Sequence, residues 1–294
     1  MAEPVPTTVM SHKTVETLMS AVRELPTLPA IAARVSAVAR DPESTPRDMA
    51  AVICQDQSLT ANLLRVVNSA YFGFLRRISN VAEAINLLGY NEVVNMTFAV
   101  AVVREFEYAS ANGFDRSAFW THSIAVATTS QMVADRARYP QSEAAFTAGL
   151  LHDIGKLILD QFFPEPFGEV MRRIRHDGVA SRDAEESVLG VTHAEIGEWI
   201  ARSWLLPELT IATIRHHHHS RDERLGLPNS HDPIVDLVQF ADLYCRSQGF
   251  GHSGDPQIPA VPLKILQDLG LSAETLSPLQ TRVAALVKDI QAFF

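Results

Sequence analysis

The sequence predicts an all-α protein, a multi-helix bundle with an N-terminal helical subdomain. Apolar residues recur at helical spacing along the chain, and residues typical of helix starts precede these segments. The alternation of apolar and polar residues that marks half-buried strands is scarce. The chain has 294 residues, of which 47% are hydrophobic and 20% charged. It can therefore bury one large core or two smaller ones.

In the N-terminal third, helix starts and stops are closely spaced. Pro29 can open a helix with apolar residues at helical spacing, and Asp41 with the following proline ends it. Thr45 is followed by a proline and an acid, which predicts a second helix start. Asn80 with Glu83 forms a capping-box pattern for a third helix.

Further signals continue through the middle of the chain. Gly89 predicts the end of the third helix, and Asn91 can cap the next one. Asp115 can cap a long helix that runs through Arg138, and Ser142 can cap another.

The C-terminal part shows the same punctuation. Thr192 with Glu195 predicts a helix through Trp204, Pro207 a further start, and Asp232 with its following proline another. The last predicted helix is amphipathic, with apolar residues at Leu279, Val283, Leu286 and Ile290.

Charge and targeting signals restrict the partners. The net charge is −9, and the densest basic cluster, Arg172, Arg173 and Arg175, is short, so nucleic acid is not the expected partner. The N-terminus lacks the apolar region of a signal peptide, and apolar runs such as Met96–Val103 are too short to span a bilayer. We therefore expect a cytoplasmic protein that does not insert into a membrane.

The two cysteines carry no predicted function. Cys54 and Cys245 lie in apolar, helical segments without CxxC spacing. We expect both to be buried, reduced thiols rather than a disulfide or a zinc site.

The segment LLHDIGKLIL places three polar residues, His152, Asp153 and Lys156, inside an apolar run. A histidine and an aspartate near a helix end can bind the same metal ion. Gly155 is expected to let the chain turn just after them, and Lys156 to carry a cation to the rim, where a phosphate oxygen can sit. The alternative is a helix end whose histidine caps a carbonyl group.

Five more residues extend this pattern. His122 and Asp242 lie in apolar helical contexts, where a histidine is often a core residue and a carboxylate requires a partner. The segment 234–245 contains no basic residue, so a salt-bridge partner of Asp242 would come from elsewhere in the fold. His193, His217 and His218 lie near helix ends, where ordinary capping or exposure is the alternative to metal binding.

The order of these residues resembles the HD superfamily of metal-dependent phosphohydrolases, which implies an HD-domain-like helical bundle. By this likeness a first metal ion would be held by His122, His152, Asp153 and Asp242, and a second by His193, His217 and His218. Asp153 would bridge the ions. In an active enzyme, Asp153 and Lys156 would serve catalysis: two ions activate water for displacement at phosphorus, and Lys156 steadies the phosphate. The His-rich set favours one or two divalent transition ions, Fe, Mn or Zn, over Mg.

The N-terminal half narrows the likeness. The segments LPTLPAIAARVSAVARDPE, DQSLTANLLRVVNSAYFGF and ISNVAEAINLLGYNEVV resemble the HDOD family, the HD-related output domain of bacterial signalling proteins. The likeness extends from about Leu25 to the end of the chain. It implies an N-terminal helical part over residues 1–110, an HD-like core over 111–250 and a C-terminal helical segment over 251–294 that packs on the same domain.

This resemblance implies a regulatory module of signal transduction without catalytic activity. Such a module would bind a metal or nucleotide in its HD pocket and contact other signalling proteins through helical surfaces. The alternative is a metal-dependent phosphohydrolase or phosphodiesterase acting on a nucleotide or other phosphoester, which the seven ligand-type residues favour. Hydrolysis of cyclic di-GMP is not expected, because HHHHSRDERLGLP lacks the GYP motif and Ala118 replaces the acid of that branch.

Overall fold

The computed structural model describes residues 29–68, 72–106, 112–139 and 142–291. Within these ranges the regular structure is helical and contains no β-strand, which confirms the predicted all-α class. The boundary predicted between residues 110 and 111 falls outside the described residues, and the domain division stays a prediction.

The helices divide by position along the chain. The N-terminal helices are α1 (Ala30–Arg40), α2 (Pro46–Ile53), α3 (Gln57–Val67), α4 (Val81–Leu88) and α5 (Tyr90–Glu105). The central helices are α6 (Arg116–Arg136), α7 (Ser142–Leu151), α8 (Ile154–Phe162), α9 (Pro164–Asp177), α10 (Ser181–Leu189), α11 (His193–Ser203) and α12 (Glu208–His216). A 3₁₀ turn at Arg221–Glu223 leads to α13 (Asp232–Ser247), α14 (Leu263–Asp268) and α15 (Ala273–Gln291).

Most predicted helix starts are confirmed by their caps. The Thr45 side chain accepts a hydrogen bond from the Asp48 amide, and the Asp48 carboxylate accepts one from the Thr45 amide. Asn80 and Asp115 also cap through their side chains. Thr192 forms the predicted capping box at the start of α11. These caps satisfy backbone donors that the first turn of a helix leaves free.

Ser142 and Asp232, predicted as caps, are instead the first residues of α7 and α13.

Two further predicted boundaries, at α5 and α6, were wrong by two residues. Helix α5 begins at Tyr90, because Gly89 ends α4 and also precedes the first residue of α5, so Asn91 is inside the helix and does not cap it. Helix α6 ends at Arg136 rather than Arg138, because Arg138 has a left-handed φ of 54°.

The core consists of three hydrophobic clusters. One lies among the N-terminal helices, another surrounds Trp120 and Phe167, and the last packs around Phe240. Helix α6 contacts α7, α13 and α15 and is buried along most of its length. In α15, Leu279 and Val283 are buried as predicted. The side chains of Leu286 and Ile290 lie outside the described residues.

The cysteine prediction is half correct. Cys245 is buried in α13, with its sulfur 3.3 Å from the Thr129 hydroxyl. Cys54 is exposed, contrary to the prediction. Met49 and Ile53 form the buried side of α2. Cys54 comes directly after Ile53, so its side chain points in a different direction from this buried side.

Among the residues that the structure describes, no helix combines the length and apolar character needed to cross a bilayer.

Gly155 has a different role from the predicted turn. The chain turns at His152 and Asp153, and Gly155 lies inside α8, where a Cβ atom would be 1.9 Å from the His193 carbonyl oxygen. Helices α8 and α11 can therefore approach only because this residue has no side chain.

We predict that Gly155→Ala strongly destabilises the protein. Overpacking typically costs about 1–3 kcal/mol, and a backbone carbonyl cannot move aside as a flexible side chain can. Chemical denaturation in EDTA, which excludes any effect of metal loss, should place the loss in the free energy of unfolding at or above that range.

Gly168→Ala is the matched control. Gly168 is also helical, but the nearest atom to its added Cβ is Asn112 Oδ1 at 3.4 Å. Because alanine is favoured over glycine in helices by about 1 kcal/mol, this variant should be neutral or stabilised. Similar stabilities for the two variants would contradict the close packing of α8 on α11.

Candidate metal centre

All seven predicted ligand residues lie together in the structure. Helix α6 supplies one, the turn between α7 and α8 two, α11 one, the end of α12 two and α13 one: His122, His152, Asp153, His193, His217, His218 and Asp242. His218 is partly buried and the other six are buried. Residues separated by up to 120 positions in the sequence thus share one polar interior site.

The turn between α7 and α8 presents the HD pair to this site. Helix α7 ends at Leu151 and α8 begins at Ile154, so His152 and Asp153 occupy the connection. The His152 Nδ1–H donates to the Gly149 carbonyl oxygen at 2.7 Å, which orients the ring. The prediction that both side chains are near a helix end and face the same site is consistent with this geometry.

Four of the residues form one group: Asp153, His193, His217 and His218. They offer ligand atoms within 4.8 Å of one another. Asp153 Oδ1 is 3.0 Å from His193 Nε2 and 3.4 Å from His217 Nε2. His218 Nε2 lies 3.0 Å from His193 Nε2. Nitrogen and oxygen atoms at these separations can bind a common metal ion.

The remaining three residues form a second group: His122, His152 and Asp242. Asp242 Oδ1 is 3.1 Å from His122 Nε2 and 4.0 Å from His152 Nε2. Their ligand atoms also lie within 4.8 Å of one another. This three-residue group could hold a second ion.

Asp153 contacts both groups. Its Oδ1 atom faces the four-residue group, and its Oδ2 atom is 3.4 Å from His152 Nε2 in the three-residue group. One carboxylate can supply a different oxygen to each of two ions. This is the position that the HD resemblance implied for a bridging ligand.

Hydrogen bonds at the outer ring nitrogens orient three of the histidines. Besides His152, His217 donates its Nδ1–H to the Ile214 carbonyl oxygen at 2.8 Å. His193 Nδ1 lies 2.7 Å from a carboxylate oxygen of Glu185. Because carbonyl and carboxylate oxygens accept, Nδ1 carries a proton in all three rings, and Nε2 is the atom that each ring turns toward the centre.

Glu185, which the sequence analysis missed, supports the four-residue group from behind. Its carboxylate accepts hydrogen bonds from the ring and the backbone amide of His193 and from the Ser181 hydroxyl. The side chain is fully buried. The sequence shows Glu185 only as an acidic residue one helical turn after Ser181 in α10, and no local pattern connects it with His193.

Neighbouring charges set the protonation states of the carboxylates. Burial alone would raise the pKa of Asp153, but the Lys156 ammonium group and the nearby histidines hold it well below its usual range. Burial would also raise the pKa of Asp242, but the contact with His122 and the charge of Arg246 outweigh burial and lower this pKa. Both carboxylates are therefore ionised, as metal binding requires.

The histidines differ in their protonation. Burial lowers the pKa of His217 to about 4, and also lowers the pKa values of His122 and His218. These imidazoles are neutral at pH 7 and can ligate. Burial would also lower the pKa of His193, but the Glu185 carboxylate outweighs it and raises the pKa.

Unpartnered polar atoms show that the residues suit a cation. Five buried atoms form no well-aligned hydrogen bond, although His122 and Asp242 are 3.1 Å apart: Nε2 of His122, His152 and His217, and Oδ1 of Asp153 and Asp242. Buried polar atoms without partners are costly, and three nitrogen lone pairs with two carboxylate oxygens match the ligand preferences of a borderline divalent metal. The donor set therefore fits the group that the HD superfamily implies.

The two cations beside the centre differ from the predictions. Lys156 is only 2% exposed, so it is not at a rim. Its Nζ atom donates to Asp153 Oδ2 at 2.7 Å and to the Ser253 carbonyl oxygen at 3.0 Å. The basic partner of Asp242 comes from the same helix rather than from elsewhere: Arg246 Nη1 is 3.2 Å from Asp242 Oδ2, one turn further along α13.

Two solved structures are similar to this chain in fold. A crystal structure of an HDOD domain protein with unknown function from Geobacter sulfurreducens has a TM-score of 0.82 and 29% identity, covering 96% of this chain and 97% of that chain. A crystal structure named "putative phosphohydrolase" from Shewanella amazonensis SB2B has a TM-score of 0.71 and 23% identity, covering 96% of this chain and 98% of that chain. At this identity the similarity concerns the fold alone.

A curated relative is longer than this chain. An uncharacterized protein of Treponema pallidum (strain Nichols) is 27% identical over 267 residues, which are 87% of this chain and 49% of the relative. The chain thus spans about half the length of that relative.

The family profile described as HDOD domain matches residues 25–220. This range contains the HD pair and the histidines of α6, α11 and α12. The match covers most of the chain and ends before Asp242. The chain belongs to the HDOD family.

Proposed function

We propose that this chain is a metal-binding signalling module of the HDOD type. One or two divalent transition metal ions would occupy the centre and bind a nucleotide or other phosphoester, and the helical surfaces would contact other signalling proteins. The observation that carries this proposal is the convergence of five buried ligand atoms, from the two residue groups, that form no well-aligned hydrogen bond. A metal ion would offset the cost of leaving them without partners.

The closed state of the centre favours a regulatory role over turnover. Asp153 is 2% exposed, and Lys156, the cation nearest to it, is occupied by Asp153 and the Ser253 carbonyl. An enzyme that turns over must admit substrate and release product in each cycle. A module that responds to a bound ligand can instead use a rarely opened site.

The residues of the chain would have different roles in holding metal at this centre. Asp153 would contact both ions, His193 would be oriented by Glu185, and His152 and His217 would be oriented by backbone carbonyls. When bound, the metal would supply electrophilic binding of phosphate oxygens. Five imidazoles and two carboxylates favour Fe, Mn or Zn over Mg.

The second candidate function is hydrolysis of a phosphoester. The observation that favours it is the placement of the two Asp153 oxygens toward different ligand groups, because two neighbouring ions can clamp an in-line displacement at phosphorus. Cyclic di-GMP is not the proposed substrate, because the GYP motif is absent and Ala118 stands where that branch has an acid.

We predict that untagged protein contains one or two Fe, Mn or Zn ions per chain. The double variant His152→Ala with Asp153→Ala removes ligand atoms from both groups and should reduce the content to near zero. Mass spectrometry of the purified proteins measures the metal directly.

The double variant His216→Ala with His219→Ala is the matched control. These two histidines belong to the same HHHH run, but their Nδ1 atoms face each other at 2.9 Å, away from both groups. Metal content should be unchanged. If wild-type protein still lacks metal after incubation with Fe, Mn and Zn, the proposed function is wrong.

A substrate screen decides between the two candidate functions. For a regulatory module, metal-loaded protein should bind phosphoesters without releasing phosphate or alcohol over hours. Release that requires metal and is lost in the His152→Ala, Asp153→Ala variant would establish the phosphohydrolase instead.

We predict that Glu185→Gln weakens binding of one ion selectively. Loss of the negative charge behind His193 leaves its ring less basic and less firmly oriented, and such changes typically cost about 10–100-fold in metal affinity. Titration with Co²⁺, followed by its visible absorption, should show a lower affinity for the ion at the four-residue group.

Asp160→Asn serves as the control for this variant. Asp160 is another buried carboxylate with a basic partner, Arg116 at 2.6 Å, but it belongs to neither ligand group. Its substitution should lower stability and leave Co²⁺ affinity unchanged. Equal losses of affinity in both variants would refute the specific role of Glu185.

A further inference from the structure

A loop after α13, residues Gly249–Asp255, crosses the metal centre, and we call it the strap. The His252 amide donates to the Ala118 carbonyl oxygen at 2.9 Å, which ties the strap to α6. Gly251 has a φ of +68°, and a Cβ atom there would be 2.3 Å from the His122 backbone nitrogen. The strap therefore lies directly on the turn of α6 that carries a predicted metal ligand.

The strap contacts both cations of the centre. The Ser253 carbonyl oxygen accepts from Lys156 at 3.0 Å, and the Asp255 carboxylate is 3.2 Å from Arg246 Nη2. Lys156 also contacts Asp153, and Arg246 contacts Asp242. Each cation is thus shared between a predicted ligand carboxylate and the strap.

Arg246 retains donors that the strap does not satisfy. Its side chain is 6% exposed, yet Nε and Nη2 have no well-aligned hydrogen bond, although Nη2 is close to Asp255. A guanidinium group has five N–H donors in a fixed planar arrangement that suits carboxylate and phosphate oxygens. Buried donors without well-aligned acceptors, next to a metal centre, point to an anionic ligand that can reach them.

We propose that the strap is a displaceable cover, and that a phosphate oxoanion at the metal centre replaces it on Lys156 and Arg246. This inference rests on the proposed metal centre and adds the regulation of its access. The oxoanion would give Lys156 a charged acceptor in place of the neutral Ser253 carbonyl, and would give Arg246 acceptors for its free donors. Asp255 would lose its partner and move toward water.

The construction of the strap fits displacement at modest cost. Gly249, Gly251 and Gly254 all have positive φ, and the strap has no regular secondary structure. Segments of this kind, with few backbone hydrogen bonds to the body, open more readily than packed helices. Its movement would also shift the chain that leads to α14, so that ligand binding inside would change the outer surface.

The test uses inorganic phosphate as the probe and the full chain loaded with Mn²⁺. Calorimetric titration compares wild type with Asp255→Asn, which removes the competing carboxylate, and Arg246→Gln, which removes the proposed phosphate contact. Because one charge-assisted hydrogen bond is worth about 1.5–3 kcal/mol, Asp255→Asn should bind phosphate about tenfold more tightly and Arg246→Gln at least about tenfold more weakly. Asp268→Asn, which alters the surface pair with Arg221, should match wild type.

Hydrogen exchange of wild-type protein provides an independent arm that needs no variant. Saturating phosphate should accelerate exchange at the amide of His252, which bonds to Ala118 in the closed strap. Unchanged exchange with bound phosphate, absence of phosphate binding, or equal affinity of Asp255→Asn and wild type would overturn the strap proposal.

Metal analysis of every protein separates the two levels of inference. Wild-type protein without metal would refute the proposed function itself, whereas metal-loaded protein that fails the phosphate tests would refute the strap alone. Should Arg246→Gln lose its metal because Asp242 loses its partner, the Asp255→Asn titration and the exchange measurement still decide the proposal.

Discussion

The structure depends on the cost of burying ionised groups in a helical core. Asp153 lies between two sets of histidines and away from water, where a lone carboxylate would be strongly disfavoured. Three acid and base pairs make the burial tolerable: Asp153 with Lys156, Asp242 with Arg246, and Glu185 with His193. Each pair joins a predicted ligand to a group that is not itself a ligand. The arrangement leaves the inner faces of the ligands unpartnered, and this is the feature that suits a cation.

Close backbone approach is the second requirement of the site. Helix α8 can meet α11 only at a residue without a side chain, and the same holds for the strap on α6. Gly155 therefore brings Asp153 within reach of His193, and Gly251 brings Ser253 within reach of Lys156. The two glycines act at different backbone contacts, one with α11 and one with α6. One allows the ligands to converge, and the other allows the centre to be covered.

A covered centre reconciles the features that suggest catalysis with those that suggest signalling. Seven grouped ligand residues and a nearby lysine resemble the active-site residues of a phosphohydrolase. In this structure, however, the lysine is already paired with Asp153 and the ligand residues are largely buried. If phosphate and the strap compete for Lys156 and Arg246, phosphate binding displaces the strap and so changes the surface of the protein. Such coupling requires only that the ligand favours the open strap over the closed one.

The helical class and most helix starts could be predicted from the sequence alone, and the order of its His and Asp residues indicated the candidate metal ligands. Caps such as Asn80 and Asp115 depend on atoms no more than four residues apart, so local patterns suffice to predict them. The partners across helices became known only from the folded chain: the contact of Glu185 with His193, the burial of Lys156 under Ser253, and the packing role of Gly155. These depend on which face each helix turns toward its neighbours and on how closely the backbones approach, and both are set by the packing of the whole core.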